Sequence, residues 1–392
     1  MRVSKRLVLL VLMLFALGVL AGCGSKQEGG DKAGGDKTAV ETIPVGINVE
    51  LSGDLASYGS NSRNGMVLAI EEINQAGGVL GKELKYIERD CQSKPDEAMN
   101  NSAALAGEKI IAQLGPLTSG AVAGSTPVMM QNKIALIAPA ATAENVTVEE
   151  KTGKTLDYIF RVCYLDADQA KRMAEFALND LKVKNAAIFG STSDDYAKGL
   201  AKYFEEAFIA GGGKIVAKEG YVNGDKDFKA TLTKLRSKNP EFIYVPGYYT
   251  EVALLIKQAR DLDIKVPIGG GDGWDSPDMV KVAGVEALNN TYFANHYSVE
   301  DPSPAISSFV KAYEAKYKKL PDSFAALGYD SAKILAQAIK DAGEADSAKV
   351  AQALAQIKDF PGITGTMSIN EKHNPVKKIV VIEYKDGKLV SR

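Results

Sequence analysis

The sequence predicts an α/β protein made of two doubly wound, Rossmann-like lobes. From Ile43 onward, short β-branched runs alternate with longer helical patterns, which is typical of βαβ units and a parallel sheet. The alternation occurs twice, in blocks of similar size at about 43–164 and 165–296. Open parallel sheets bind ligands beyond the carboxyl ends of their strands, so two facing sheets would hold a ligand in the cleft between them.

The first block supplies five predicted strands and two clear helical patterns. The helices are expected at 64–78, where the pattern ends in glycines, and at 96–108. The strands are expected at 43–50, 83–90, 112–117, 134–140 and 158–163. A flavodoxin-like strand order of 2-1-3-4-5 is the expected topology.

The second block repeats this plan, and the chain then changes character. Strands are predicted at 186–190, 213–221, 242–248, 266–271 and 292–297, with helices at 195–210 and 251–262. Three helical patterns follow at 304–317, 323–343 and 347–357, and they must cover one of the two blocks. Near the end, Asp386-Gly387 separates two apolar runs and predicts a tight hairpin. We therefore expect one lobe at 43–164 plus about 298–365, and the other at 165–297 plus about 366–392.

The amino terminus predicts export. Arg2, Lys5 and Arg6 precede an apolar run of 15 residues, which is shorter than the ~20 that a membrane-spanning helix needs. The run ends in Leu-Ala-Gly followed by Cys23, which resembles the lipobox of bacterial lipoproteins. By that resemblance, residues 1–22 are a signal peptide, and Cys23 carries lipid at the outer face of a membrane. An uncut anchor helix is the alternative reading. Residues 23–42 are rich in glycine and charge and predict a flexible tether.

Composition gives no sign of a nucleic-acid-binding protein or of a disulfide-rich one. The formal net charge is −2, so nothing favours nucleic acid as a partner. With 45% hydrophobic and 24% charged residues, the chain is an ordinary globular one of two domains or one large one. Three cysteines are too few for a disulfide scaffold.

Enzyme signals are missing from the sequence. It contains no Walker A, H-E-x-x-H, C-x-x-C or G-x-S-x-G motif, and the glycine run at 269–273 lacks the context of a dinucleotide site. The two histidines, His296 and His373, lie in unlike contexts, and we expect both at solvated surface positions. We therefore expect no catalytic residues, metal or cofactor.

Polar and aromatic side chains follow several predicted strands, where carboxyl-end loops should lie. Hydroxyls there, with backbone N–H groups at helix starts, can hold a carboxylate, and an aspartate can hold an ammonium group. Tyrosines add an apolar face with a polar tip. This pattern suits a zwitterion. The candidates are Tyr58, Ser119, Ala140, Thr142, Tyr196, Tyr248 and Asp272.

Each candidate also has a purely structural interpretation. Ser119 and Thr142 could simply cap helices. Tyr196 and Tyr248 could be half-buried packing residues, and Asp272 could serve a turn in a glycine-rich loop. Local sequence alone leaves these alternatives open.

The whole mature chain resembles the periplasmic binding proteins that serve branched-chain amino acid ABC transporters, the leucine/isoleucine/valine-binding type. The matching stretches run in order across both blocks: LSGDLASYG (51–59), GPLTSG (115–120), APAATAENVT (138–147), FRVCYLDADQ (160–169), DDYAKGLA (194–201), GYYTEVALLIKQARDL (247–262) and GGGDGWDSP (269–277).

The resemblance implies a type I periplasmic binding protein fold, with two lobes joined by a multi-strand hinge that close on an amino acid. It places Tyr58, Ser119, Ala140 and Thr142 around the ligand from one lobe. From the other lobe it places Tyr196, Tyr248 and an acidic residue at Asp272. It also implies an ABC transporter permease as partner, an extracytoplasmic location and a monomer.

The chain departs from that family in two places. Members use Glu where this chain has Asp272, and Asp is one methylene shorter. Members also often pair a cysteine at the position of Cys91 with one at the position of Thr118, so Cys91 lacks that partner here. Strands two and five of the expected order lie about 19 Å apart, and a disulfide needs Cα atoms within ~7 Å. Cys91 and Cys163, which end those strands, are therefore expected to be free.

Other functions remain open at this stage. The same fold could bind an amide, urea or small aromatic acid, although Asp272 favours a ligand with an amine. The protein could also be a sensory subunit that signals to a membrane receptor.

Overall fold

The first sheet is built entirely from parallel strands. The computed structural model describes residues 41–392. The strands pair in the order β2-β1-β3-β4-β5, so the expected 2-1-3-4-5 topology is confirmed. They are β1 (Thr42–Val49), β2 (Glu83–Asp90), β3 (Ala112–Leu114), β4 (Ala135–Ala138) and β5 (Ile159–Arg161).

Helices connect and cover these strands. Because the sheet is covered on both faces, the three central strands are buried almost throughout. The helices of this part are α1 (Ala56–Gln75), α2 (Pro95–Gly107) and α3 (Ser119–Asn132).

The second sheet has seven strands, in the order β14-β13-β10-β9-β8-β6-β7. Its five parallel strands repeat the topology of the first sheet: β6 (Asn185–Ser191), β7 (Lys214–Tyr221), β8 (Phe242–Tyr244), β9 (Ile268–Gly270) and β10 (Thr291–Asn295). The carboxyl-terminal strands β13 (Val380–Lys385) and β14 (Lys388–Ser391) extend it in antiparallel fashion. Asp386-Gly387 forms the turn between them, which confirms the predicted hairpin.

Six helices accompany the second sheet: α4 (Asp166–Asn179), α5 (Asp195–Ala210), α6 (Lys229–Arg236), α7 (Tyr249–Asp261), α8 (Asp278–Ala283) and α9 (Val285–Leu288). Three more follow in the chain: α10 (Pro304–Tyr317), α11 (Ser323–Ala342) and α12 (Ser347–Gln356). Helices α11 and α12 pack on the first sheet, and α11 lies along α1. A small hairpin of β11 (Phe360–Gly362) and β12 (Gly365–Met367), absent from the sequence prediction, follows them.

The sheets divide the strands between two lobes, and the fold class predicted from the sequence is confirmed. Sheet membership shows which strands belong to each lobe, but it does not show at which residues the chain crosses from one lobe to the other. The predicted lobe limits at 43–164 with 298–365 and at 165–297 with 366–392 therefore stay a proposal.

One element boundary differs in a way that matters for the site. Helix α1 begins at Ala56, eight residues before the predicted start at Asn64. The stretch ASYGSN carries no apolar periodicity, yet it is helical, and Tyr58 and Gly59 are buried in it. Tyr58 thus lies in the first turn of a helix.

The prediction for the two histidines is wrong. His296 is 2% exposed and His373 is 8% exposed. The His373 ring stacks on Phe160 with centroids 4.0 Å apart, and its Nδ1 lies 3.0 Å from the carbonyl oxygen of Ile159. His296 directly follows the fully buried strand β10. Both rings are buried because tertiary packing covers them, which local sequence does not reveal.

The predicted signal peptide, lipidated Cys23 and most of the tether lie outside the described residues. Within residues 41–392, no helix is both long and apolar enough to cross a bilayer. Cys91 and Cys163 are both buried and free, as expected from the strand order.

Candidate ligand-binding site

A small cavity lies between the two lobes, at the carboxyl ends of their parallel strands. The first lobe contributes residues that follow β1, β3 and β4, and the second contributes residues that follow β6, β8 and β9. The cavity is lined by Tyr58, Leu117, Thr118, Ser119, Ala140, Tyr196, Tyr248, Asp272, Gly273 and Phe324.

Six of the seven residues predicted from the sequence line this cavity. The exception is Thr142, which is fully buried and does not reach the cavity wall. Its carbonyl oxygen accepts a hydrogen bond from the backbone N–H of Asp166 at 3.0 Å, so the loop after β4 is fastened to the start of α4.

The first-lobe wall is the beginning of α3. Ser119 is the first residue of that helix, and the preceding Thr118 makes no side-chain capping bond to it. Helix N-termini present free N–H groups and a partial positive charge. The Ser119 hydroxyl accepts a hydrogen bond from the N–H of Ala143 at 3.2 Å and can still donate. This wall can therefore hold an anion.

A buried glutamate, which the sequence analysis missed, fixes that wall. Glu50 follows β1, and its carboxylate accepts hydrogen bonds from the N–H of Leu117 (3.2 Å), the N–H of Thr118 (3.1 Å) and the Thr118 hydroxyl (3.0 Å). Burial raises the pKa of Glu50, and these donors oppose that rise. Glu50 thus acts as a brace for the loop before α3.

The second-lobe wall centres on Asp272, which is 2% exposed. Its Oδ1 accepts hydrogen bonds from the Tyr196 hydroxyl at 2.9 Å and from Gln169 Nε2 at 3.2 Å. Its Oδ2 lies 2.9 Å from His296 Nε2. A carboxylate offers about four acceptor positions, so one remains for a ligand donor.

The glycine run at 269–273 has a steric role at this wall. A Cβ on Gly271 would lie 2.8 Å from the Tyr196 hydroxyl and 2.8 Å from Gln169 Oε1. A Cβ on Gly273 would lie 2.9 Å from the same hydroxyl. Tyr196 also accepts a hydrogen bond from the N–H of Gly273 at 2.9 Å. The glycines are needed so that Tyr196 can approach the loop that carries Asp272.

Aromatic rings enclose the remainder of the cavity. Tyr196 and Tyr248 stack with centroids 5.1 Å apart and planes 8° apart. Tyr58 packs against Phe324 with centroids 4.2 Å apart. Burial raises the pKa of Tyr58, Tyr196 and Tyr248 well above the ordinary value, so all three phenols are neutral. The surface they form is apolar with hydroxyl tips.

Two buried titratable side chains, Asp166 and His296, lie behind the cavity near Asp272. Burial raises the pKa of Asp166 well above its usual range, and the charge of Asp272 adds to that rise. Burial lowers the pKa of His296, and its hydrogen bond to Asp272 only partly opposes this. The groups that face the Asp272 carboxylate are thus the Tyr196 hydroxyl, the Gln169 amide and a His296 ring whose pKa is lowered.

Several contributors to the site escaped the sequence prediction. Gln169 lies in the first turn of α4, and Phe324 lies in the first turn of α11. Neither residue directly follows a parallel strand of its own lobe, which is the signal that identified the other candidates. His296 could have been found, because it follows β10 as the other candidates follow their strands. No group of three or more His, Cys, Asp and Glu side chains within residues 41–392 is placed to hold a metal ion.

A two-lobed α/β protein with a polar–apolar cavity between its sheets has the architecture of a solute-binding protein. Comparison with known proteins agrees. The periplasmic binding protein family matches residues 42–388. The Leu/Ile/Val-binding protein BraC3 of Rhizobium johnstonii is 31% identical over 352 residues, covering 89% of this chain and 93% of that protein.

Solved structures give the same result. LivJ from Streptococcus pneumoniae, a branched-chain amino acid transporter substrate-binding protein solved with isoleucine, is 38% identical with a TM-score of 0.84, covering 90% of this chain and 100% of that one. The leucine-binding protein LivK from Thermotoga maritima is 32% identical with a TM-score of 0.84, covering 89% and 97%.

This chain belongs to the periplasmic binding protein family. Its resemblance to the leucine/isoleucine/valine-binding type is confirmed by these relatives, and so is the type I fold. The family is one of extracytoplasmic solute-binding proteins.

Proposed function

We propose that this protein captures a branched-chain or other aliphatic amino acid by closure of its two lobes and delivers it to the permease of an ABC transporter. The names of its relatives support this ligand class and a transport role. We further propose that the protein acts as a monomer, held at the outer face of the membrane by lipid on Cys23.

One observation carries the ligand proposal: the two lobes present opposite electrostatic features to one cavity. Ser119 and the amino end of α3 line it from the first lobe, and the Asp272 carboxylate lines it from the second. An α-carboxylate would lie at the helix end and an α-ammonium at Asp272. A ligand with both charges would join the lobes and favour the closed state.

The lining of the cavity supports a small aliphatic side chain. Leu117, Phe324 and the face of Tyr58 supply the apolar surface for such a side chain. Asp272 is the only carboxylate on the wall, so a purely anionic ligand would lack a partner there.

The lining also supports binding without turnover. Among the ten lining residues there is no histidine, cysteine or lysine, and the one carboxylate is held by three donors. We therefore propose that the protein is not an enzyme. Recovery of an altered amino acid after incubation with the protein would contradict this.

The test of ligand class is calorimetry with leucine, isoleucine, valine, leucinamide, 4-methylpentanoate and benzoate. We expect the three amino acids to bind most tightly. At 100 times its dissociation constant, a ligand should stabilise the protein by ~2.7 kcal/mol. Asp272→Asn should weaken leucine binding by ~2–5 kcal/mol, because the ammonium group loses a desolvated partner. The exposed Asp263→Asn is the matched control.

Other ligand classes would give a different pattern. Tightest binding of benzoate or of leucinamide, with no effect of Asp272→Asn, would replace the amino acid proposal by the aromatic acid or amide alternative.

The lipid proposal is tested separately: Cys23→Ala should leave affinity unchanged and release the protein from membranes. Binding of a receptor instead of a permease would favour the sensory role.

A further inference from the structure

We propose that His296 is a positioning residue that aims the carboxylate of Asp272 at the ammonium group of the ligand. The inference rests on the proposed function, since it assigns a part of the same site. His296 does not line the cavity, so its effect on a ligand acts through Asp272.

The geometry around Asp272 shows how the carboxylate is fixed. Tyr196 and Gln169 both donate to Oδ1, at 2.9 and 3.2 Å, whereas His296 alone approaches Oδ2, at 2.9 Å. Rotation of the carboxyl group about its Cβ–Cγ bond would break contacts at both oxygens. His296 is therefore the group that holds Oδ2 in place.

The His296 ring is itself held rigidly. It is 2% exposed and stacks on Tyr164, with centroids 3.8 Å apart and planes 14° apart. Its backbone N–H is bound by the side-chain oxygen of Asn295 at 2.8 Å. A rigid donor matters for Asp272, because a short acidic side chain reaches a ligand from fewer positions than Glu does.

The charge state of His296 suits this role. Burial lowers its pKa and the charge of Lys377 does the same, whereas the hydrogen bond and charge of Asp272 and the charge of Asp275 raise it. Tyr164, the ring it stacks on, has a pKa raised well above its ordinary value and is neutral. The net effect is a neutral imidazole, which donates through Nε2–H and leaves the negative charge of Asp272 for the ligand.

Protonation would reverse this arrangement. A cationic His296 would form an ion pair with Asp272 and compete with the ligand ammonium for the same charge. Ligand binding should therefore favour the neutral imidazole, and affinity for an amino acid should fall as the pH is lowered through the His296 titration. A purely structural histidine would not give this coupling between pH and affinity.

The experiment compares His296→Phe, His296→Asn and His373→Phe. Phenylalanine keeps the stacking on Tyr164 and removes the donor, and asparagine keeps a side-chain N–H. His373 is a second buried histidine stacked on an aromatic ring, is not among the lining residues, and serves as the matched control. Affinities for leucine and 4-methylpentanoate, which lacks the amine, are measured by calorimetry between pH 5 and 8.

We expect His296→Phe to weaken leucine binding roughly ten- to a hundredfold at pH 8, as for loss of a hydrogen bond to a charged group. Its affinity for 4-methylpentanoate should stay within about twofold of wild type, and His296→Asn should recover part of the leucine affinity. Wild-type affinity for leucine should fall toward pH 5, and that of His296→Asn should fall less. His373→Phe should keep the wild-type affinity and pH profile.

Two results would overturn the positioning role alone: leucine binding by both His296 variants within twofold of wild type, or equal losses for leucine and 4-methylpentanoate. If His296→Phe does not fold, a pH profile shared by wild type and His296→Asn would overturn it. Failure of the wild type to bind any amino acid would overturn the proposed function and this inference together.

Discussion

The hydroxyl of Tyr58 donates a hydrogen bond to the carbonyl oxygen of Gly273 and so joins the two lobes at the cavity. The same hydroxyl accepts a hydrogen bond from the N–H of Tyr249 at 3.3 Å. Tyr58 belongs to α1 of the first lobe, and both partners belong to the second. One phenol therefore bridges the loop after β9 and the start of α7, next to where the ligand would bind.

Tyr58→Phe should weaken ligand binding without unfolding the protein. The variant keeps the packing against Phe324 and loses two hydrogen bonds that exist only when the lobes meet. At about 0.5–1.5 kcal/mol for each bond, the affinity should fall by roughly five- to a hundredfold. The affinity is measured by calorimetry. Tyr203→Phe, at a half-buried position of α5, is the control. Unchanged affinity would show that the bridge does not stabilise the closed state.

Ser119→Ala should weaken the binding of ligands that carry a carboxylate. Loss of a hydroxyl donor to a buried charged group costs ~1.5–3 kcal/mol, or roughly ten- to a hundredfold in affinity. Leucinol, which lacks the carboxylate, should be affected much less. Thr142→Val provides a comparison, because Thr142 is buried off the cavity wall. An equal loss with leucine and leucinol would reduce Ser119 to a structural role.

Asp322→Asn should remove part of the pH dependence of stability. Asp322 caps α11 and is half-buried, and burial beside Asp275 raises its pKa to about 8. In the unfolded chain its pKa is ~3.9, so the folded state binds the proton more tightly. This carboxyl therefore destabilises the fold progressively as the pH rises from ~4 to ~8.

Urea unfolding at pH 5 and pH 8 checks this prediction. Asparagine is an equally good cap. The difference in unfolding free energy, variant minus wild type, should therefore be larger at pH 8 than at pH 5. The expected increase is on the order of 1–3 kcal/mol for a partly solvated group. Asp346→Asn, at the exposed cap of α12, should show the same difference from wild type at both pH values. Parallel profiles for Asp322→Asn and wild type would contradict the shifted titration.

The two core cysteines should be unreactive in the folded protein and reactive after unfolding. Cys91 and Cys163 are fully buried, and burial raises the pKa of Cys163 to about 12 and that of Cys91 well above its ordinary value. The thiolate is the reactive species, so labelling with iodoacetamide at pH 8 should be very slow. In a variant that begins after Cys23, denaturant should expose two thiols. Finding none would contradict the unpaired state.

Residues that follow parallel strands could be found from sequence. Ser119, Tyr196 and Asp272 each come just after such a strand, and the carboxyl ends of parallel strands meet at one edge of the sheet. The alternation of strand and helix patterns in the sequence is enough to identify this edge of each sheet. The topology was predictable for that reason, and six of the seven candidate residues do line the cavity.

Side-chain direction within those loops was not predictable. Thr142 lies two residues from Ala140, yet Ala140 reaches the cavity and Thr142 does not. Gln169 and His296 lie 103 and 24 residues from Asp272 and meet at its carboxylate. No local periodicity encodes these contacts, because they join α4, the loop after β9 and the residue after β10, which only the packing of the second lobe brings together.

Sequence by itself determined the two βα lobes, their strand order, the sheet edge where the candidate site lies and the unpaired state of Cys91 and Cys163. Hydrophobic periodicity and strand-end chemistry are local properties of the sequence, so they can be recognised without knowledge of tertiary contacts. Tertiary structure decided that His296 and His373 are buried, that Glu50 braces the loop before α3, and that Asp272 is held by three donors. Those features follow from desolvation and packing between distant segments, where a polar side chain is buried only if the rest of the fold supplies its partner.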